Sequence, residues 1–122
     1  MYLPVQVFVA SVERIVNLIN LYCFVMKAIF ISYDQAHYEQ VIETLEKFNS
    51  RGFTAWEMVL GRGSKTGEPH YGSHAWPSIA GAIMTMVEDH RVQPILDMLK
   101  KIDMEKPKLG LRAWTWNIES SI

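Results

Sequence analysis

This chain of 122 residues has very little cysteine and almost no net charge. It contains one cysteine, Cys23, and its formal net charge is −1 at pH 7. A single cysteine excludes an internal disulfide and a cysteine-based zinc site, which favours a reducing compartment and predicts a cytoplasmic location. The near-zero charge argues against nucleic acid as a partner. The length and a hydrophobic fraction of 49% are typical of one globular domain.

Glycine and proline are scarce outside one stretch, residues 61–77. This stretch holds four of the seven glycines, two of the five prolines and two of the four histidines. It also carries cations, an acid and aromatic residues between two apolar segments. Loops of this length without structure of their own are usually functional or disordered. We therefore predict a long exposed loop that carries the function, with the rest of the chain as its scaffold.

Residues 1–25 form an almost continuously apolar segment. A membrane span here would place Glu13 and Arg14 near the bilayer centre, where a charged residue costs about 2.5–3.5 kcal/mol on insertion scales. The segment also lacks the basic start and small-residue cleavage site of a secretory signal. We predict an N-terminal extension outside a core domain that spans residues 26–122. An amphipathic or membrane-touching helix is the alternative.

Hydrophobic periodicity predicts two strand–helix–strand units in the core domain. Asp34 is expected to cap the first helix, and Gly52 is expected to end it in the left-handed conformation. The predicted strands are 26–33, 53–60, 79–87 and 109–118, and the second helix begins at Glu88. This βαββαβ order predicts an α+β ferredoxin-like sandwich, a four-stranded antiparallel sheet with both helices on one face and a long connection between strands 2 and 3. The bare sheet face predicts an oligomer.

Two motifs resemble those of the nitrogen-regulatory PII signalling family, and the likeness runs from Met26 to the end of the chain. The motifs are Arg51-Gly52-Phe53-Thr54, which leads through Glu57-Met58-Val59 to Gly61-Arg62-Gly63, and Glu88-Asp89-His90-Arg91-Val92. The resemblance implies a divergent PII-like regulator, a cytoplasmic homotrimer that senses a small-molecule effector between subunits. In that family a T-loop, here residues 61–77, docks on an enzyme or a membrane transporter.

The resemblance also implies which residues bind the effector and the partner. An effector or nucleotide site of ATP, ADP or AMP would use Gly61, Arg62, Gly63, Lys65, Lys106 and Lys108. Partner docking would use Thr66, Gly67, Glu68 and Tyr71, and nucleotidylation of Tyr71 is a further alternative. Two departures from the family pattern bear on this site: Ser64 follows the glycine pair where the family has glutamine, and Pro107 interrupts the segment that is glycine-rich in the family. For the four cations, solvated surface charge is the alternative.

A divalent-metal site is a second hypothesis for the same loop. Glu68, His70 and His74 supply oxygen and nitrogen ligands, and three copies around a trimer would complete a metal shell. The alternative function is therefore that of a CutA-like trimer that binds or senses divalent metal. CutA-like proteins are linked to divalent-metal tolerance and share the predicted topology. No catalytic constellation is apparent, so we expect no enzyme activity, with an acylphosphatase-like activity as the minor rival.

Overall fold

The computed structural model describes residues 9–16, 25–50, 52–62, 65, 68–72 and 78–122. Six strands, two helices and two 3-10 turns follow residue 25. They are β1 (Met26–Asp34), a 3-10 turn (Gln35–His37), α1 (Tyr38–Lys47), β2 (Phe53–Val59), β3 (Gly61–Arg62), β4 (Pro69–His70), β5 (Ala80–Glu88), α2 (Asp89–Glu105), a 3-10 turn (Pro107–Leu109) and β6 (Arg112–Asn117). An N-terminal helical segment over 9–16 precedes them.

The main sheet has four strands in the order β2-β5-β1-β6, and every neighbouring pair is antiparallel. A separate two-stranded ribbon pairs β3 with β4. The two middle strands, β1 and β5, are the first strands of the two strand–helix–strand units, as the ferredoxin-like topology requires. The predicted α+β fold is therefore confirmed.

The ends of several elements differ from the sequence expectations. Asp34 caps as predicted, since its Oδ1 accepts the Ala36 N–H at 2.8 Å, but it caps the 3-10 turn that precedes α1. The left-handed residue after α1 is Asn49, with φ of 56°, and not Gly52. Asn tolerates this conformation, and the Ser50 N–H bonds back to the Leu45 carbonyl at 2.7 Å.

The last strand also begins later than predicted. Helix α2 continues to Glu105, and a 3-10 turn then leads to Gly110, which has φ of 73°. Only after this left-handed turn does β6 begin, at Arg112. Alternation of apolar residues alone could not locate this start, because the 3-10 turn ends on the apolar Leu109 and buried Leu111 follows it.

One face of the sheet is closed by both helices. The residues of β1 and β5 that face this side pair directly across the sheet, as Ile31 with Ile83 and Tyr33 with Gly81. The core they form with the helices consists of Ile29, Ile31, Tyr33, Val41, Leu45, Ile83, Val87, Val92, Ile95, Leu99, Ile102 and Leu111. Burial of the aliphatic side chains of this core stabilises the domain, each by about 1.5–3 kcal/mol relative to exposure.

The opposite face, which we call the open face, is apolar, and no helix covers it in the part of the chain that the structure describes. Phe30 lies at its centre, with its ring 6.4 Å from Trp56 and 6.2 Å from Trp114. Trp114 is 54% exposed and Trp116 46%. A contiguous aromatic surface of this kind typically marks an interface.

Strand β2 contains a β-bulge that alters the predicted faces. Trp56 pairs with Ala82 and Val59 pairs with Ala80, so two residues of β2, Glu57 and Met58, lie opposite a single residue of β5. The extra residue moves Val59 to the same face as Trp56. Simple alternation places Val59 on the face of Phe53, and this expectation is wrong because a strict period of two does not survive a bulge.

The segment 9–16 exposes its apolar residues, and Ile15 is 57% exposed. Within the described ranges, no helix combines the length and the apolar character that crossing a membrane requires. Val25 lies next to β1, and its carbonyl accepts the Asp89 N–H at 3.1 Å. That residues 1–25 are an extension outside the core domain stays a prediction.

Candidate functional site

Two segments carry the candidate cations: the connection 61–77, with Arg62 and Lys65, and the segment just before β6, with Lys106 and Lys108. Both lie at the same end of the main sheet, which we call the loop end. Here β1 ends at Asp34, β2 ends at Val59, β5 begins at Ala80 and β6 begins at Arg112. Asp34 and Val59 both pair with Ala80, and Arg112 pairs with Ser32 two residues before Asp34. The connection 61–77 and the turn before β6 therefore lie beyond one end of the sheet.

The base of the connection 61–77 is an ordered hairpin. Gly61 pairs with His70 and Arg62 with Pro69. Beyond it, Tyr71 bridges Ile79, and the Gly72 N–H donates to the Ser78 carbonyl at 3.1 Å. The expectation of a loop without structure of its own is thus wrong at the base of this connection, where a two-stranded ribbon continues from β2.

His70 lies inside the protein rather than on an exposed loop. Its side chain is 3% exposed, and its Nε2 lies 3.0 Å from the Oδ2 of Asp34, which is itself buried. The contact is close but poorly aligned, because Nε2 makes no hydrogen bond of good geometry. We take it as an electrostatic contact that fixes β4 to the end of β1, since the other oxygen of Asp34 is held by the Ala36 N–H.

The proposed metal ligands are not brought together in the described part of the chain. Glu68 is exposed and His70 is buried beside Asp34, while His74 lies outside the described residues. Among the residues that are described, no group of three metal-ligating side chains occurs. The Glu68–His70–His74 site therefore stays a prediction.

The four candidate cations divide into two exposed pairs. Arg62 and Lys65 belong to the connection after β2, whereas Lys106 precedes the 3-10 turn before β6 and Lys108 lies within it. None of the four forms an ion pair within the described ranges. Strands β2 and β6 are opposite edges of the sheet, with two strands between them. At about 4.8 Å per strand interval, roughly 14 Å separates the two edges.

The turn that carries the lysines uses its backbone N–H groups internally. Leu109 donates to the Lys106 carbonyl at 3.1 Å, and Gly110 donates to the Pro107 carbonyl at 3.2 Å. Leu111 donates to the Oδ1 of Asp103 at 3.2 Å. This segment is therefore not an open nest of amides, and an anion held here would depend on the lysine ammonium groups.

The predicted docking residues that the structure describes are accessible. Glu68 is exposed, and Tyr71 is 42% exposed beside Gly72, which has φ of 61°. Gly63, Thr66 and Gly67 lie outside the described residues, as does most of the tip of the connection. Gly61, at the start of the ribbon, is half-buried.

Sequence reasoning missed Asp34 and Tyr33 as parts of this region. The sequence predicts only a capping role for Asp34, and nothing in its neighbourhood along the chain indicates His70 as a partner. Tyr33 is 2% exposed, and burial, with a smaller effect of Tyr38, raises its pKa to about 12. The sequence contained one signal for Tyr33: it stands two residues after Ile31 in a predicted buried strand, which indicates that it faces the core.

Comparisons with known proteins agree with this topology. The family model described as nitrogen regulatory protein P-II matches residues 26–115. A comparison with curated protein sequences gives no match. Many solved structures are similar in fold, and three of them are described below; at identities under 20% the likeness shows the fold alone.

The first of these structures is the nitrogen regulatory PII-like protein CPII from Thiomonas intermedia K12, bound to ADP, AMP and bicarbonate. It has a TM-score of 0.65 and 18% identity over 78% of this chain and 87% of that one. The complex of Bacillus subtilis GlnK with ATP has a TM-score of 0.60 and 17% identity, over 80% and 85% of the two chains. A PII-like signalling protein from Thermus thermophilus has a TM-score of 0.56 and 17% identity, over 77% and 87%. The family model covers well over half of the chain, and the chain therefore belongs to the nitrogen regulatory protein P-II family.

Proposed function

We propose that this protein is a trimeric cytoplasmic regulator that binds an adenine nucleotide between neighbouring subunits. In this proposal the connection 61–77 reports the bound state to an enzyme or a membrane transporter. Membership of the P-II family supports a regulatory role over an enzymatic one. The adenine nucleotides in the similar CPII and GlnK structures support the ligand class.

One observation carries the intersubunit site. Arg62 lies in the ribbon that continues from β2, and Lys108 lies in the 3-10 turn that leads into β6; β2 and β6 are opposite edge strands, roughly 14 Å apart by strand spacing. We infer that a single chain does not bring the two basic pairs together. A cyclic arrangement that places the β2 edge of one subunit beside the β6 edge of the next would do so, and would create a positive cleft for phosphate groups.

The open face supports the trimer. Its apolar surface, opposite the helices, is formed by Phe30, Trp56, Met86 and Trp114, and Met86 is 47% exposed. Burial of this surface against neighbouring copies supplies the driving force at about 25 cal/mol per Å² of apolar area. With the sheets turned inward, the connections 61–77 remain at one end of the assembly, where a partner can reach them.

The test is native mass spectrometry of the full chain with ATP, ADP and AMP. The expected result is a trimer that retains up to three nucleotides. Arg62→Ala and Lys108→Ala should each abolish retention without dissociating the trimer. Lys47→Ala is the matched control, because Lys47 ends α1 at the opposite end of the sheet and should leave retention unchanged.

Mixing the two inactive variants tests whether the site is shared. In a hybrid ring of Arg62→Ala and Lys108→Ala subunits, one interface combines the two intact segments. Statistical mixing at equal amounts should restore about a quarter of the sites. No recovery after subunit exchange would overturn the shared site, and a monomer that binds no nucleotide would overturn the whole proposal.

A further inference from the structure

A small cavity lies on the helix-covered side of the sheet, near its loop end. Its volume is about 280 Å³, and it is lined by Tyr33, Gln35, Tyr38 and Glu57. Ligand pockets for drug-sized molecules span about 300–1,000 Å³, so this one suits a smaller ligand. It is independent of the basic segments, none of whose four cations lines it.

The cavity lies at a level of the sheet that lacks a central side chain, where the Tyr33 ring takes up the space over glycine. Tyr33 of β1 pairs with Gly81 of β5, and Glu57 lies opposite Gly81 in the bulge of β2. The Tyr33 ring lies directly over Gly81, since a Cβ added there would meet the hydroxyl of Tyr33 at 2.7 Å. Glycine thus lets the ring lean across the sheet towards Glu57, and the bulge sets the position of Glu57.

A second aromatic ring borders the same space. The Tyr38 ring, at the start of α1, has its centroid 6.3 Å from that of Tyr33, with an angle of 39° between the planes. Tyr33 is buried, whereas Tyr38 is 44% exposed, so one ring forms the floor and the other an accessible wall. The side chain of Gln35 adds an amide that can donate or accept.

Glu57 provides the only charge of the lining. Its carboxylate forms no ion pair or hydrogen bond with the described part of the chain, and the residue is exposed. Tyr33 is a neutral phenol at neutral pH, and burial raises its pKa further, to about 12. The cavity therefore combines two neutral aromatic rings with one negative charge, which is the chemistry that attracts a cation.

We propose that this cavity binds a small organic cation of the alkylammonium class, held by the ring of Tyr38 and by the carboxylate of Glu57 above a floor formed by Tyr33. The ligand would be weakly hydrated and fit the small volume. An inorganic cation is a poorer fit, because a single carboxylate beside two phenols does not supply a full shell of oxygen ligands. The site lies at the base of the connection 61–77, but its occupancy does not require the nucleotide site.

The test uses choline chloride as the probe on the full chain without nucleotide, followed by NMR. We expect concentration-dependent shifts of the amide signals of Gln35, Tyr38 and Glu57. Sodium chloride at equal concentration serves as the salt control. The neutral isostere 3,3-dimethylbutan-1-ol should bind about tenfold more weakly, since it lacks the charge.

Variants separate the contributions of charge and ring. Glu57→Gln and Tyr38→Ala should each weaken choline binding by about tenfold, while Tyr38→Phe keeps the ring and should retain it. Glu43→Gln, an exposed acid on the same helix as Tyr38, is the matched control and should change nothing. Choline shifts no larger than those of sodium chloride, equal binding of the alcohol, or full binding by Glu57→Gln would each overturn the proposal. These outcomes do not depend on whether the protein binds nucleotide.

Discussion

The two faces of the main sheet are formed by the same strands, but one is buried under the helices and the other is largely exposed. On β1, Ile31 faces the helices and is fully buried, while its neighbour Phe30 faces away and is only half-buried. Both faces are apolar, so hydrophobicity alone does not distinguish them. What differs is that α1 and α2 both pack on one side, which leaves the aromatic residues of the other side to whatever the chain meets in solution.

The open face is not equally exposed along its length, and it is buried at the loop end. There Asp34 shares the open face by alternation with Phe30, yet it is buried and lies beside His70 of the ribbon. Ala80 and Ala82 of β5 are also buried on this side. The chain therefore covers one end of its own open face, where the connection 61–77 returns to the sheet, and leaves the aromatic remainder without a cover in the described residues.

Replacement of adjacent residues on β1 should separate the two faces most clearly. Ile31→Ala removes fully buried methylenes and should cost about 2–5 kcal/mol of unfolding free energy at every protein concentration. Phe30→Ala should cost less in the isolated chain and should weaken assembly instead, so its effect should grow with protein concentration. Urea unfolding at two concentrations, with sedimentation velocity, measures both. Equal, concentration-independent losses would contradict the idea that the open face is an interface.

Replacement of His70 should loosen the covered end of the open face. His70→Ala leaves the buried carboxylate of Asp34 without its neighbour, at a cost of about 1–3 kcal/mol. Hydrogen exchange should accelerate at the ribbon amides, including Gly72, more than at the centre of β1. His90→Ala is the control, because the His90 side chain is 61% exposed and should change stability by about 0.5 kcal/mol or less. Unchanged exchange at the ribbon would show that the Asp34 contact does not hold it.

The smallest effect is a dependence of stability on pH, and it involves only the helix-covered face of the sheet. Burial raises the pKa of Tyr33 from 10.0 to about 12, so the folded state holds its proton at pH values where the unfolded chain releases it. This stabilisation is complete below pH 10 and is lost as the pH rises through 12. Unfolding free energy should fall across that window in the parent chain. Tyr33→Phe should flatten this slope, and an unchanged slope would assign it to other groups.

Much of the fold follows from local pattern. The periodicity from Tyr38 to Phe48 and from Val92 to Ile102 predicted both helices, and alternation located the strands to within a few residues. Two misses have physical causes that pattern does not contain. The bulge between Trp56 and Val59 breaks the period of two, and the turn at Gly110 comes with a hydrogen bond from the Leu111 N–H to the Asp103 side chain, eight residues earlier.

For the candidate sites, the sequence indicated which residues could bind a ligand but not where they lie in the fold. It singled out Arg62 and Lys108 from charge and from the family resemblance, and their role stays a prediction. It placed His70 among exposed loop ligands, whereas the structure buries it beside Asp34, 36 positions earlier in the chain. No local signal connects residues so distant, because their contact depends on how the ribbon folds back on the sheet.

Local periodicity and short motifs were sufficient to predict the order of the two helices and the four strands of the main sheet, the apolar character of both sheet faces and the family to which the chain belongs. Two features of the candidate sites emerged only from the folded chain: Gly81 leaves room for the Tyr33 ring, and the two basic segments connect to opposite edge strands at one end of the sheet. Both depend on strand order and register, which long-range packing fixes and no short stretch of residues encodes.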